Sequence, residues 1–395
     1  SIEGVVFNLI SQISDLENSS TKVISALEAL SDNSERRMVL LGLPGTGKST
    51  FARYLALCMA KAELDRSQNI KDLLPAWEGG ALLPLVISLG RMAEAIPHDC
   101  RRGCAEFIEA YILEMLKADE RTCDFAEHLL AELLHSGGLV LFDGLDEVAD
   151  VKRRPLVVQS VADFVEKYRK NAASRFLLTC RTYSYRHDPS WQLTGWPTHE
   201  LALLDEEKIQ YFVRAWHEEH ARIEPARRPD YERKREALLL SLQPDDRRRL
   251  HEIAPFPLIL TMMAVVHTHY GELPDTRAQV YEKCVDLLLV RWELERPAAG
   301  QSSSQTQKRT ILDALNVTQA ALYRALAEVA FSAHAGRADG ENQRGPALVT
   351  EELLTSKLHA HLQDLSKVQI FLDYCQSSNG LLMLQGTVSV PDAPE

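Results

Sequence analysis

Short apolar segments alternate with amphipathic helical patterns through the first half of the chain. Four segments have the length and composition of buried strands: residues 38–42 (MVLLG), 82–90 (LLPLVISLG), 139–142 (LVLF) and 175–180 (RFLLTC). Helical spacing predicts the intervening helices at about 49–61, 104–135 and 154–169. Strands that alternate with helices form a parallel sheet covered on both faces. The pattern therefore predicts an α/β fold whose functional crevice lies at the carboxyl ends of the strands.

The rest of the chain is predicted to be mainly helical. Residues 1–30 have helix-like apolar spacing, and after about residue 198 the strand signals fade in favour of helical patterns. The last segment combines three helical stretches with a short apolar run, GLLMLQG at 380–386, which is compatible with a winged-helix unit. We predict five parts: an N-terminal helical arm (1–35), an α/β domain (36–197), a helical domain (198–296), a linker (297–308) and a partial winged-helix-like domain (309–395).

Composition and charge narrow the class of protein. The net charge of −12 does not favour a mainly nucleic-acid-binding surface. The longest apolar runs, such as 258–266, are too short to cross a bilayer. Seven scattered cysteines argue against a disulfide framework and for a reducing compartment, so we expect a cytoplasmic protein. Because the chain begins at Ser1 and shows no signal region, we expect it to be part of a longer protein.

The stretch GLPGTGKS at residues 42–49 carries the most specific signal in the chain. It fits G-x-x-x-x-G-K-[ST] at every fixed position, after a predicted strand and before a predicted helix. Three glycines can wrap the backbone closely round a phosphate: Gly42, Gly45 and Gly47. Lys48 supplies a cation for the β- and γ-phosphates, and Ser49 supplies a hydroxyl ligand for Mg²⁺. The competing interpretation is a glycine turn that matches by chance, which the strand–loop–helix context disfavours.

The strand at 139–142 runs directly into a group of acidic residues. Asp143 ends the strand, which is where P-loop proteins place the carboxylate that holds Mg²⁺. Asp146 and Glu147 follow near the expected γ-phosphate, where a carboxylate can orient or deprotonate an attacking water. We favour Glu147 as the base and Asp146 as its support, although the sequence leaves these two roles interchangeable. The competing interpretation is that the acids only cap the next helix.

Arg181 ends the next predicted strand, in the segment FLLTCRTYSY. An arginine that faces the same crevice can sense or neutralise the γ-phosphate. Thr179 in the same strand can contact the bound water. The competing interpretation of Arg181 is a surface arginine paired with a carboxylate.

Together these motifs resemble the NACHT family, a branch of the STAND class of signal-transducing P-loop ATPases. In that family an apolar strand is followed by Asp-Gly-x-Asp-Glu, as at residues 143–147, whereas AAA-type motors place adjacent Asp and Glu directly after the strand. The resemblance covers residues 36–295. Further segments resemble the family's phosphate loop, sensor strand and first helical domain: 40–50, 176–185, 201–217 and 255–292.

The resemblance implies a site with ATP or ADP and Mg²⁺. It makes Ser49 and Asp143 the metal ligands, and it implies that Pro257 packs against the nucleotide base. The implied phosphate contacts are the whole loop and the start of its helix: Gly42, Pro44, Gly45, Thr46, Gly47, Lys48, Ser49 and Thr50. Family members also use a winged-helix histidine on the β-phosphate of ADP. No matching stretch occurs up to Glu395, so we expect the ADP-bound state of this chain to be weakened.

The function implied by the resemblance is a signalling switch in innate immunity or antiviral defence. ADP would keep it closed, and ATP would open it and allow self-association, with slow Mg²⁺-dependent hydrolysis as a timer. The family's N-terminal effector and C-terminal sensor are missing from this sequence, so neither the output nor the trigger can be inferred. The choice of ATP comes from the resemblance alone. GTP stays open, because phosphate-loop residues contact phosphates and not bases.

Two other functions compete with the switch. A turnover enzyme, such as an ATP-driven remodeller or a kinase, would use the same phosphate loop and metal ligands. Nucleic-acid binding would use the arginine-rich segments 222–236 and 245–250, but acidic residues are mixed in and aromatic residues are sparse. For these segments we therefore predict a solvated pair of helices held by salt bridges.

Overall fold

Seven strands form one sheet in the computed structural model of the protein. They are β1 (Asn8–Gln12), β2 (Thr21–Ser25), β3 (Arg37–Gly42), β4 (Pro84–Ser88), β5 (Leu139–Asp143), β6 (Arg175–Arg181) and β7 (Thr198–Leu201). Their order across the sheet is β2-β1-β7-β3-β6-β5-β4. The five strands from β7 to β4 are parallel, whereas β1 and β2 pair antiparallel at one edge. This arrangement confirms the predicted α/β class with a parallel sheet.

The structure describes most of the chain in several stretches. The described residues are 8–12, 21–31, 36–65, 67–148, 150, 152–243, 250–286, 311–338, 349 and 351–374. They form two compact units, and the boundary between the units falls at Thr268/His269. Among the described residues, no helix has both the length and the apolar character needed to cross a bilayer.

Helices cover both faces of the sheet because alternate strand residues point to opposite sides. On one face, Val39 and Phe142 belong to a core packed by α4 (Leu89–Ala95), α5 (Ala105–Lys117), α6 (Ala126–His135) and α7 (Arg154–Tyr168). On the other face, Leu40 and Leu141 belong to a core packed by α1 (Ala26–Ser31), α2 (Lys48–Leu64) and α3 (Ile70–Leu73). Burial on both faces explains why the central strands are continuous apolar runs in the sequence.

The prediction of a helical arm at the N-terminus is wrong for the described residues that precede α1. Asn8–Gln12 and Thr21–Ser25 are strands, and β1 extends the sheet by pairing with β7. In segments this short, the apolar spacing of a helix and the alternation of a strand overlap. The open edge of β7 then offers backbone hydrogen-bond partners that no local pattern can show. Residues 1–7, 13–20 and 32–35 lie outside the described residues.

The start predicted for the helical domain, residue 198, is also too early. Thr198–Leu201 form β7, which pairs in parallel with β3 inside the sheet. The helical segment follows it, and Asp205 caps its first helix by accepting a hydrogen bond from the Lys208 N–H at 2.9 Å. The helices after β7 are α9 (Glu206–Ile223), α10 (Arg228–Ser241), α11 (Pro257–Tyr270) and α12 (Arg277–Asp286). Helix α8 (Thr182–His187) precedes β7 and belongs to the α/β domain.

The arginine-rich segment 222–236 is a salt-bridged helix pair, as predicted. Its cations are paired with carboxylates of α9, of α10 and of the residue that follows α9. The pairs are Arg222–Glu219, Arg227–Glu224, Arg228–Glu218, Arg233–Asp230 and Lys234–Asp230. Such exposed pairs contribute little to the stability of the fold. They neutralise the positive charge that binding to the phosphates of a nucleic acid would require. Of the second arginine-rich segment, residues 245–249 lie outside the described residues.

Among its described residues, the second unit consists of helices and short connecting segments. Its core includes Leu322, Leu358 and Phe371, all completely buried. After α12, its helices are Ile311–Leu315, Gln319–Ala338, Glu351–Leu362 and Leu365–Tyr374. The predicted linker at 297–308 and the predicted strand at 380–386 lie outside the described residues, so the winged-helix-like assignment stays a prediction.

We predict that Gly103→Ala destabilises the fold much more than Gly80→Ala. A methyl group on Gly103 would lie 1.9 Å from the backbone oxygen of Leu156 in α7, whereas one on Gly80 would meet nothing within 4 Å. Overpacking against backbone costs about 2–3 kcal/mol, and an unconstrained surface change stays within about 0.5 kcal/mol. Urea unfolding followed by tryptophan fluorescence measures the difference. Equal unfolding midpoints for the two variants would contradict this packing.

Candidate functional site

Three strand ends converge at the carboxyl edge of the sheet. Because β6 lies between β3 and β5, the residues at the end of β6 separate the loop after β3 from the turn after β5. The site is therefore assembled from three segments that are distant in sequence.

The loop between β3 and α2 is a tight phosphate cradle. Gly45 and Gly47 have φ values of 74° and 93°, which only glycine adopts at low cost. The Thr46 hydroxyl donates to the Leu43 carbonyl at 2.8 Å and braces the loop from inside. The Lys48 ammonium donates to the carbonyls of Gly42 and Leu43 at 2.9 and 3.1 Å, so it lies across the loop. Pro44 and Thr50 lie exposed at its rim.

The ammonium of Lys48 is held in a partly desolvated position. Burial lowers the pKa of Lys48, and the charge of Arg181 lowers it further, whereas the nearby carboxylate of Asp146 raises it. A desolvated cation at the N-terminus of α2 favours a multiply charged anion such as a phosphate chain.

Asp143 is the centre of the hydrogen-bond network. Its Oδ1 accepts the hydroxyl of Ser49 at 2.8 Å and the hydroxyl of Thr179 at 2.7 Å. The Thr179 oxygen in turn accepts the N–H of Gly144 at 2.9 Å. We expected Thr179 to contact a bound water, but its single proton is donated to Asp143. Sequence reasoning missed this role, because only the strand order places β6 beside β5.

The donor set of Ser49 and Asp143 fits Mg²⁺. Two oxygens 2.8 Å apart match neighbouring corners of an octahedron, since Mg–O distances of about 2.0–2.1 Å put adjacent oxygens about 2.9 Å apart. Mg²⁺ commonly takes one or two protein oxygens and completes its shell with substrate phosphates and water. Among the described residues, no group of three or more His, Cys, Asp or Glu side chains forms a separate metal site.

The acidic turn after β5 depends on Gly144. This residue has φ 76° and ψ 57°, and it leads into a 3₁₀ turn, Leu145–Glu147. A methyl group on Gly144 would lie 2.6 Å from the carboxyl carbon of Glu147, so the carboxyl group lies directly over the glycine. Burial raises the pKa of Glu147, and the neighbouring charges of Asp146 and Asp143 raise it further. A half-buried carboxylate with a raised pKa is suited to accept a proton near neutral pH.

The two acids of this turn have different surroundings. Asp146 is buried, its Oδ2 lies 2.8 Å from Nε of Arg181, and its Oδ1 accepts the backbone N–H of Arg181 at 3.0 Å. The carboxylate of Glu147 has no hydrogen-bond or ion-pair partner among the described residues. The predicted site residues are therefore brought together, with Asp146 committed to Arg181. Arg181 is paired with a carboxylate, as in its competing interpretation, but it is half-buried beside the other site residues and not a surface arginine.

Helix α11 touches the phosphate loop. The N–H of Leu258 donates to the carbonyl of Gly45 at 3.1 Å, and a methyl group on Gly45 would lie 3.0 Å from Cβ of Leu258. Pro257, the first residue of α11, is thereby held beside the cradle. Its contact with a nucleotide base stays a prediction.

A glycine-rich cradle on a helix N-terminus, faced by a carboxylate at the end of a parallel strand, defines a P-loop NTPase. The sequence model of the NACHT domain matches residues 36–220. Residues 36–220 of the chain therefore form a NACHT domain of the P-loop NTPase class.

Two other comparisons add little. Among solved structures, the chain is similar to that of PCH-2 from C. elegans, with 16% sequence identity, coverage of 67% of each chain and a TM-score of 0.30. That similarity is too low to carry an argument. A search of curated proteins finds no match.

We predict that Lys48→Ala weakens binding of ATP and ADP by about 10- to 100-fold, since a hydrogen bond from a charged donor contributes about 1.5–3 kcal/mol. Titration with a fluorescent nucleotide measures the affinity. The matched control is Lys61→Ala, an exposed lysine near the end of the same helix, which should bind like the parent chain. Unchanged affinity of the Lys48 variant would show that nucleotide binds elsewhere.

Proposed function

We propose that the protein is a nucleotide-dependent signalling switch of the NACHT/STAND type. In this proposal ADP holds it closed, ATP allows it to open and self-associate, and slow Mg²⁺-dependent hydrolysis returns it to the closed state. The observation that carries the proposal is the hydrogen bond from Leu258 N–H to the Gly45 carbonyl at 3.1 Å. It joins a helix outside the sheet to the loop that surrounds the phosphates. A ligand that fits the loop differently in its di- and triphosphate forms can therefore bias the position of α11.

The roles of the site residues follow from their contacts. Lys48 and the loop N–H groups bind the phosphates, and Ser49 and Asp143 hold Mg²⁺. When bound, Mg²⁺ neutralises charge on the phosphates as the terminal bond breaks. Thr179 keeps the carboxylate of Asp143 turned toward Ser49.

We assign Glu147 as the general base and Asp146 as the residue that positions Arg181. Asp146 already accepts two hydrogen bonds from Arg181, so its lone pairs are poorly available for the proton of a water. Held by both its backbone and its side chain, Arg181 can present its guanidinium to the γ-phosphate without a search over rotamers. Glu147 can orient water and accept its proton.

The cellular setting of the switch is also part of the proposal. We place it in the cytoplasm, in innate immunity or antiviral defence, with ATP as the nucleotide. Its trigger would be a ligand or protein read by a sensor outside this chain, and its output would come from a separate effector segment. The resemblance to NACHT proteins supports these assignments.

We predict that the purified protein carries ADP and turns over slowly. A closed resting switch keeps its product bound, so chromatography of nucleotide released from denatured protein should show ADP as the main nucleotide. Hydrolysis should be well below the roughly 10 per second of a median enzyme. Nucleotide-free protein that turns over at tens per second would instead identify an ATP-driven remodeller or other turnover enzyme.

We predict that hydrolysis falls as the pH is lowered through a pKa above the usual value of a glutamate, about 4.3. The base must be ionised, and burial raises the pKa of Glu147, so its protonated, inactive form persists to higher pH. Single-turnover rates between pH 5 and about 8 measure this decrease of the rate at low pH.

The matching variant is Glu147→Gln, which should lower the rate by about 10²- to 10⁴-fold while binding is retained. Glu63→Gln, at an exposed acid of α2, is the control and should leave the profile unchanged. If Asp146→Asn abolished the rate and Glu147→Gln did not, the roles of the two acids would be reversed.

A further inference from the structure

A buried arginine outside the nucleotide site holds the turn that carries Glu147. Arg154, the first residue of α7, is only 8% exposed. Burying a guanidinium is costly unless it finds partners, so its contacts indicate what it does. Its Nε donates to the carbonyl of Val148 at 3.2 Å, and its guanidinium lies 4.5 Å from the ring centre of Trp191. The carboxylates of Asp188 and Asp150 partly balance its charge.

Val148 is the point where the acidic turn leaves the site. It directly follows Glu147, is completely buried, and closes the 3₁₀ turn through its N–H to the Leu145 carbonyl at 3.2 Å. At the other end of the turn, the N–H of Gly144 is bound by Thr179. The turn is therefore fixed at both ends, at its start by β6 and at its end by Arg154.

The neighbouring arginine braces the wall behind the same turn. Arg153 Nη1 donates to the carbonyls of Ala93 and Glu94, at 2.6 and 3.1 Å, at the end of α4. Near the start of α4, Gly90 lies so close to Glu147 that an added methyl group would be 3.2 Å from the Glu147 backbone oxygen. Two consecutive arginines at the start of α7 thus hold the turn and the helix packed against it.

We propose that Arg154 is a positioning residue for nucleotide hydrolysis, acting through the Val148 carbonyl and the face of Trp191 to set the place of the Glu147 carboxylate. This inference rests on the proposed function, in which Glu147 is the base. Trp191 belongs to the 3₁₀ turn Pro189–Trp191 that follows β6 and α8. Arg154 therefore connects the segment after Arg181 to the turn after Asp143. This connection fixes the positions of Glu147 and Arg181 relative to each other.

The planar guanidinium is essential to this role. It can stack on an aromatic face and donate in its own plane at the same time, which a lysine ammonium cannot reproduce. Methionine at 154 would keep apolar bulk but lose both contacts. The Glu147 turn would then be free to shift, and a displacement of about 1 Å at a reacting group can cost about 100-fold in rate.

The test compares Arg154→Met with Arg169→Met in the full chain. Arg169 directly follows the other end of α7, where it is half-exposed and paired with Glu166. Arg154→Met should keep its affinity for ADP and ATP within about threefold and lower the single-turnover rate by about 10- to 100-fold. Amide hydrogen exchange should become faster at residues 144–148. Arg169→Met should change none of these quantities.

Trp191 supplies a second pair of variants in case Arg154→Met does not fold. Trp191→Phe keeps an aromatic face and should keep most of the rate, whereas Trp191→Leu should lose rate with little loss of affinity. Unchanged exchange at 144–148 in Arg154→Met, or faster exchange with an unchanged rate, would overturn the proposal. Equal losses of rate and affinity in all these variants would also overturn it, because they indicate a role in folding alone.

The exchange measurement separates this inference from the proposed function. If Glu147→Gln hydrolysed ATP like the parent chain, the assignment of the base would fail. Faster amide hydrogen exchange at residues 144–148 in Arg154→Met would still show that Arg154 restrains the turn. The proposed role of Arg154 in hydrolysis would fail together with the assignment of Glu147 as the base.

Discussion

The site depends on one carboxylate oxygen that accepts two hydroxyl groups. Oδ1 of Asp143 is bound by Ser49 from the phosphate-loop helix and by Thr179 from the intervening strand. This single atom joins β5 and β6 to the helix after the phosphate loop, and it sets the spacing between the cradle and the acidic turn. A buried carboxylate without such partners would be costly, so each of the three segments restrains the other two.

The acidic turn gives two chemically similar side chains, Asp146 and Glu147, different surroundings. Gly144 takes a left-handed conformation and leaves room for the Glu147 carboxyl, while Asp146 turns toward Arg181. The differing environments of the two acids follow from this geometry, since one is paired with a cation and the other is desolvated beside like charges. The turn also lies against α4 and α7, so its position depends on the packing of two helices outside the phosphate loop.

Sequence reasoning worked best where chemistry depends on neighbours along the chain. The glycines of the phosphate loop, Lys48, Ser49 and Asp143 could be found because a strand, a loop and a helix place them by local geometry. It failed at the sheet edge, where Asn8–Gln12 had helical spacing but adopt strand structure against β7. It named Thr179 without finding its bond to Asp143, because the sequence does not show the strand order. It missed Arg154 altogether, because an arginine at a helix start carries no distinctive pattern.

The sequence by itself determined the class of this protein and the chemical groups at its site. Glycines determine the backbone conformation of the phosphate loop, and a few adjacent residues supply the acids at the end of β5. Only the tertiary structure decided which groups pair. Asp143 with Thr179 and Asp146 with Arg181 are contacts between residues 36 and 35 positions apart. They exist because the sheet inserts β6 between β3 and β5, and strand order is a property of the whole packed sheet rather than of any segment within it.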